Sequence, residues 1–197
     1  MKTKFILLFL MIYSSCIAQK NEALDSIFNQ TKKIEILAFY DRYKWEREDK
    51  PSYMYQKVSY IKNNKIEIRE KYLRNIITLN KEQIYKLKTR FENCESEFSE
   101  IIMCYMPRHI IVFYNEDDEI IGYIEICFDC NRAYSSKNLE FLAECTLRQK
   151  KLFKEFGITY FDDTEEEKEE FKRKRKEESD AMEEKYKKYK EKKNNNE

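Results

Sequence analysis

The residues of this chain that can do chemistry are concentrated between positions 94 and 145. Five of the six cysteines lie there, namely Cys94, Cys104, Cys127, Cys130 and Cys145. Cysteines of an exported protein usually form disulfides, and five thiols permit two bridges and one free thiol. Disulfides are therefore the main prediction, although the spacing does not determine which pairs form. Cys145 lies on an apolar helical stripe, which predicts a small core residue that bridges if a partner lies near.

Four side chains of this region also suit a metal ion. Cys104, His109, Cys127 and Cys130 are the kinds of ligand that hold zinc in tetrahedral geometry, and a hairpin would bring them together. Zinc is therefore the alternative cofactor, although Cys104 and His109 do not have a familiar zinc-knuckle spacing. His109 also adjoins Arg108, and this basic pair is a candidate anion-binding site.

Cys127 and Cys130 form a CxxC motif of the type that thiol-redox proteins use. Such proteins stabilise the reactive thiolate at a helix N-terminus, whereas residues 131–136 lack a helical pattern. Covalent c-type haem is excluded because Asn131, not histidine, follows the second cysteine. Thiol-redox chemistry with Cys104, Cys127 and Cys130 is therefore an alternative to a structural role, and no catalytic residue is predicted.

Two strands joined by a polar turn must position these cysteines. Residues 110–114 and 120–128 are rich in β-branched and aromatic side chains, and residues 115–118 favour a turn. Gly122 in mid-strand predicts a bulge or a close approach of the backbone. One strand face, predicted to be buried, carries Ile120, Gly122, Ile124, Ile126 and Phe128.

The remaining elements are shorter helices and strands. Asn80 and Gln83 predict a capping box at the start of a helix, and Gly157 predicts the end of the last core helix. The other predicted segments are a helix over 22–31, strands over 33–40, 53–61, 65–70 and 72–79, a polar loop over 131–137, one helix over 138–156, and an edge strand or packed segment over 158–161.

Together these elements predict a single α+β domain over residues 19–161. We expect an antiparallel sheet with a central cysteine-flanked hairpin, packed by two or three helices. Two glycines in the whole chain exclude Gly-rich phosphate loops and the nucleophile elbow of hydrolases. A net charge of +1 gives no general attraction to nucleic acid.

Residues 1–18 are typical of a secretory signal peptide, with a basic start, an apolar run and small residues before Gln19. The apolar run is too short to span a membrane. Cleavage before Cys16 would instead leave a lipid anchor, although Tyr13 is a poor residue three positions before it. The protein is therefore predicted to be exported, either periplasmic or secreted, with attachment to the membrane only if Cys16 is lipidated.

Residues 162–197 are predicted to be a charged tail with 14 acidic and 12 basic residues. Thr164 and Glu167 can cap a helix, and acidic residues precede basic ones by four positions at Glu169–Arg173, Glu170–Lys174, Glu183–Lys187 and Glu184–Lys188. Phe171, Met182, Tyr186 and Tyr189 form no continuous stripe in the sequence. This favours a solvated helix, fraying into a disordered end at 194–196, over a docking helix.

Residues 72–160 resemble a group of small exported proteins of the Bacteroidota that have no assigned function. The resemblance is carried by the pattern Cys104-Tyr105-x-Pro107-Arg108-His109, by Phe113-Tyr114, by Ile126-Cys127-Phe128-x-Cys130 and by the helix end over 152–158. A leader ending in Ala18-Gln19 is common in that phylum. The resemblance implies export and no particular activity. We therefore expect a non-enzymatic binding or structural module of the cell envelope, whose partner is an unknown envelope protein or small ligand.

Overall fold

The structure, a computed structural model, describes residues 22–41, 61–94 and 105–194. The predictions for the signal peptide, for Cys16 and Cys104, for most of the strand over 53–61 and for residues 195–196 lie outside the described residues. The chain divides into two compact units between Phe161 and Asp162, and each unit is described by itself.

The first unit is built on a five-stranded antiparallel sheet, in the order β4-β1-β5-β6-β7. A separate two-stranded hairpin is formed by β2 and β3. The strands are β1 Lys33–Phe39, β2 Ile61–Lys62, β3 Lys65–Ile66, β4 Leu73–Thr78, β5 His109–Tyr114, β6 Ile120–Cys127 and β7 Arg132–Ser135. Every residue of the central strand β5 is buried, so the predicted hairpin is the middle of the core.

Five α-helices lie in the described part of the chain, namely α1 22–30, α2 Lys81–Glu92, α3 Glu140–Thr146, α4 Lys150–Phe156 and α5 Glu165–Asn194. Short 3-10 turns occupy Glu70–Tyr72 and Lys137–Leu139. The capping box is confirmed, because Asn80 and Gln83 exchange side-chain to backbone hydrogen bonds of 2.9 Å. Gly157 ends α4 with a left-handed φ of 106°, as predicted. The α+β fold is therefore confirmed.

Apolar side chains cover both faces of the central strands. On one face, Ile111 and Phe113 of β5 pack with helix residues that include Phe91 and Phe153. On the other face, Ile110 and Val112 form a smaller cluster, against which residues of β2 and β3 pack. The sheet is therefore a middle layer, which explains why β5 shows a continuous apolar run instead of alternation.

The structure corrects the prediction of one helix over 138–156. Residues 147–149 interrupt it and separate α3 from α4. The side chain of Gln149 donates to the carbonyl of Cys145 at 3.1 Å, and the Thr146 hydroxyl donates to the carbonyl of Ala143 at 2.7 Å. These side-chain bonds satisfy carbonyls at the end of α3 and so favour its termination.

The prediction of a polar loop over 131–137 was also wrong. Arg132–Ser135 is the edge strand β7, paired with β6 from Ile124–Ser135 to Cys127–Arg132. Asn131, with a left-handed φ of 49°, turns the chain back. A strand at the sheet edge needs few apolar residues, and only Ala133 of β7 packs against the main core.

A bulge corrects the predicted face of β6. The pairing of β5 with β6 shifts between Phe113 and Tyr114, so that Phe113 lies opposite Gly122 and Tyr114 opposite Ile120. Ile120 consequently packs in the smaller cluster instead of beside Ile124. The extra residue of a bulge changes the side on which all preceding side chains project.

We expect Gly122→Ala to lower the free energy of unfolding by about 1–3 kcal/mol, the usual cost of overpacking a core. A Cβ at this position would lie 2.7 Å from Cδ1 of Leu139, which is fully buried. Urea denaturation measures the change. In a Leu139→Ala background, where the clashing side chain has been shortened, the same substitution should lower the free energy of unfolding by less. Equal losses in the two backgrounds would contradict the clash.

The segment 158–161 is held against the sheet without forming a strand. The side-chain oxygen of Asn75 accepts hydrogen bonds of 3.0 Å from the backbone N–H groups of Thr159 and Tyr160. Ile158, Tyr160 and Phe161 are buried. The packing alternative predicted for this segment is therefore confirmed.

The second unit contains the helix α5. Thr164 and Glu167 form the predicted cap, with hydrogen bonds of 2.9 and 3.2 Å. Three predicted ion pairs are present, Glu170–Lys174, Glu183–Lys187 and Glu184–Lys188. The fourth is replaced, because Glu169 pairs with Lys172 and Arg173 with Glu177. Within the described ranges, no helix has the length and apolar character needed to cross a membrane.

Candidate functional site

The CxxC motif lies at the turn between β6 and β7, which we call the cysteine turn (residues 127–131). Cys127 is the last residue of β6, and its sulfur is bonded to that of Cys130. The two residues are 1% and 0% exposed. The backbone N–H of Cys130 donates to the sulfur of Cys127 at 3.2 Å, and that of Met106 donates to the sulfur of Cys130 at 3.4 Å. The disulfide is therefore enclosed by the protein.

Arg108 connects the cysteine turn to the end of β1. Its guanidinium donates to a carboxylate oxygen of Asp129 at 3.1 Å and to one of Asp41 at 3.4 Å. The side chain of Asp41 is 1% exposed and that of Asp129 is 39% exposed. The predicted anion-binding residue is thus engaged by two carboxylates of its own chain, and this arrangement is that of a structural ion-pair network.

His109 begins β5 and is buried among aromatic rings. Its Nε2 lies 2.8 Å from the carbonyl oxygen of Tyr160, which can only accept, so this nitrogen carries the hydrogen. The ring centroids of Phe128 and Phe161 lie 5.0 and 4.9 Å away. The imidazole therefore joins the start of β5 to the segment 158–161.

The four predicted zinc ligands have separate roles where they are described. Cys127 and Cys130 are bonded to each other, His109 is engaged with Tyr160, and Cys104 lies outside the described ranges. Among the residues that the structure describes, no group of three or more His, Cys, Asp or Glu is placed to hold a metal ion. Zinc binding stays a prediction that would require the thiols to be reduced first.

A second disulfide joins Cys94, just after α2, to Cys145 in α3. The two Cα atoms are 5.7 Å apart and the residues are separated by 51 positions. Cys145 is 5% exposed and packs in the main core, so both of its predicted roles apply. The predicted disulfides are confirmed, and their pairing is the part that spacing alone could not provide.

Sequence reasoning missed a cluster of polar and aromatic residues on β6 and β7. The hydroxyl of Tyr105 donates to the carboxylate of Glu125, which is 2% exposed, at 2.5 Å. The Tyr105 and Tyr134 ring centroids are 4.6 Å apart, and the guanidinium of Arg132 lies 5.0 Å from the Tyr134 ring. Recognising β7 would have revealed this cluster, because the strand register places Tyr134 opposite Glu125.

The chain matches no protein-family model, and no curated protein or solved structure shows significant similarity to it. Its function is therefore argued from its own geometry. That geometry provides one enclosed disulfide, a second disulfide whose Cys94 is only partly buried, a buried ion-pair network and a histidine engaged with a backbone carbonyl. These groups hold elements of the fold together.

Proposed function

We propose that this protein is an exported, non-enzymatic protein of the cell envelope, in which disulfides stabilise a binding or structural domain. The observation that carries the proposal is the Cys94–Cys145 bridge, which joins two helices across 51 residues. Structural disulfides persist in oxidising compartments and are rare in the cytosol. The signal-peptide pattern of residues 1–18 supports the same location independently.

The enclosure of Cys127 and Cys130 favours a structural role over thiol-redox catalysis. A redox disulfide must expose a sulfur to an attacking thiolate. Here the two cysteines are only 1% and 0% exposed, so neither sulfur is open to a thiol from solution. Asp129, between the two cysteines, also pairs with Arg108 and so contributes to holding the turn closed.

Export can be tested by producing the full chain with a C-terminal tag in a bacterium that has an outer membrane. We expect it in the envelope or the medium, with the mass of a chain beginning at Gln19 and a deficit of two hydrogens per disulfide. A cytoplasmic chain that retains residues 1–18 and reduced thiols would refute the proposal. A mass that includes a lipid on Cys16, abolished by Cys16→Ser, would identify the anchored form.

We expect the cysteine turn of the folded protein to resist millimolar glutathione. Native protein is incubated with glutathione, alkylated, and digested for mass spectrometry. Cys127 and Cys130 should remain unlabelled, because neither sulfur is accessible, and should be labelled fully once a denaturant is added. Labelling of Cys127 within minutes in the native protein would instead support the thiol-redox alternative.

A further inference from the structure

The large apolar side chains of α5 share one side of the helix, although no apolar residue lies on that side between Phe171 and Met182, so the stripe is interrupted as the sequence predicts. Successive residues of an α-helix are rotated by about 100°, which places Phe171, Met182, Tyr186 and Tyr189 within about 60° of one another. Met182, Tyr186 and Tyr189 are 57%, 58% and 65% exposed, and Phe171 is partly exposed. Such a row of exposed apolar groups along a continuous helix is typical of a helix–helix contact.

Two opposite charges complete this face. Arg175 and Glu178 occupy the three turns between Phe171 and Met182, and they project on the same side. The resulting spacing 171, 175, 178, 182 alternates four and three residues, as in a coiled-coil seam. Charged residues within a seam determine which partner and which register are accepted. Within its own helix, Arg175 lies 5.9 Å from the ring centroid of Phe171. A partner helix that presents a negative and a positive charge at the corresponding places would add an ion pair to each of the two residues.

We propose that α5 pairs in antiparallel orientation with α5 of a second copy of this chain. If the two-fold axis passes between positions 176 and 177, Arg175 lies opposite Glu178 of the second copy. Phe171 then lies opposite Met182 of the second copy. The same alignment therefore matches one charged pair and one apolar pair of the seam, and symmetry repeats each match, while Tyr189 lies opposite Thr164 of the second copy.

One pair of residues beside the seam is complementary in the same alignment. The flanking positions of this alignment bring Glu167 beside Lys188 of the second copy, and symmetry gives the reciprocal pair. Each pair joins an acidic to a basic residue. In coiled coils, charges at such flanking positions set orientation and partner choice.

Other arrangements fit these charges less well. A parallel, in-register pair would place Arg175 against Arg175 and Glu178 against Glu178 of the second copy.

The charge of α5 also alternates in blocks, with net charges of −4 over 165–170, +5 over 172–176, −5 over 177–184 and +5 over 185–193. A helix that lies on an anionic membrane carries a predominantly basic polar face. Alternating blocks fit a partner with the same blocks in reverse order.

Sedimentation equilibrium of residues 19–197, oxidised and at low salt, tests the proposal. At a chain concentration of roughly 100 µM, which is well above a micromolar dissociation constant for the dimer, we expect most of the protein to be dimeric. High salt should weaken the association. Arg175→Glu should raise the dissociation constant at least tenfold, since it places like charges together twice in the dimer. Glu178→Arg should do the same, and the double variant Arg175→Glu/Glu178→Arg should restore dimerisation.

The matched control is Arg173→Glu, which makes the same change of charge on the opposite side of the helix. Arg173 pairs with Glu177 of its own helix at 3.0 Å, so its substitution should leave the dissociation constant within about threefold. Circular dichroism compares the helix content of all variants. A monomeric wild-type chain at low salt overturns the proposal. So does a dimer that Arg173→Glu weakens as much as Arg175→Glu, or a double variant that stays monomeric.

Discussion

Removal of the Cys94–Cys145 bridge is expected to lower the free energy of unfolding by about 4 kcal/mol. The estimate is the chain-entropy value for a loop of this length, because the bridge joins residues separated by 51 positions. The loss is a large part of the stability of a typical domain. Chemical denaturation of Cys94→Ala, measured without reductant, checks it.

The corresponding single and double variants provide the control. Cys94→Ala, Cys145→Ala and the double variant should lose nearly the same amount, since each abolishes the one bond. The cost in the double variant should therefore be about half the sum of the two single costs. Additive losses would show that the cysteines contribute by packing alone, and a loss below about 1 kcal/mol would contradict the entropic argument.

Arg108→Met is expected to lower the free energy of unfolding by about 3 kcal/mol. The substitution removes the guanidinium from the carboxylate of Asp41, which is only 1% exposed, and a buried charge deprived of its cation is costly. Methionine has a similar length and fills the space with apolar atoms. The variant should also loosen the cysteine turn, which protease sensitivity or thiol labelling can detect.

Asp129→Asn is the matched control for the same network. Asp129 bonds to the same guanidinium at 3.1 Å, but its side chain is 39% exposed, so its loss should cost less than about 1 kcal/mol. The double variant Arg108→Met/Asp41→Leu should recover much of the stability, because it removes both buried charges. Equal costs for Asp129→Asn and Arg108→Met would contradict the role assigned to burial.

The parts of the fold with strong local signals were predictable. The β-branched and aromatic residues of β5 and β6 predicted the central hairpin, and Asn80 with Gln83 predicted the start of α2. These signals depend on neighbouring residues in the sequence. Local chemistry therefore gave the element types and the α+β class.

The errors have non-local causes. The apolar stripe of residues 138–156 continues through the break between α3 and α4, so the stripe does not reveal the break. Side-chain hydrogen bonds of Thr146 and Gln149 end α3 at this point. Strand β7 is polar because it lies at the sheet edge, and only its pairing with β6 identifies it. The partner of Cys145 likewise depends on the packing of α2 near α3, which no spacing encodes.

The candidate site was predicted by residue type but not by role. The sequence singled out Arg108, His109 and the CxxC motif, and the structure places all of them around the cysteine turn and the start of β5. The sequence alone could not reveal that Asp41, 67 positions from Arg108, binds the same guanidinium as Asp129. Nor could it reveal that a backbone carbonyl engages the histidine.

The attachment of the segment 158–161 has a consequence for when the first unit can finish folding. Tyr160 bonds to Asn75 and His109, which precede it by 85 and 51 positions. A nascent chain therefore lacks these contacts until nearly all of residues 1–161 have been synthesised, and contacts between such distant positions form slowly. For the export proposed above, late completion of the fold would keep the polypeptide unfolded during passage through a translocation channel, before its disulfides form.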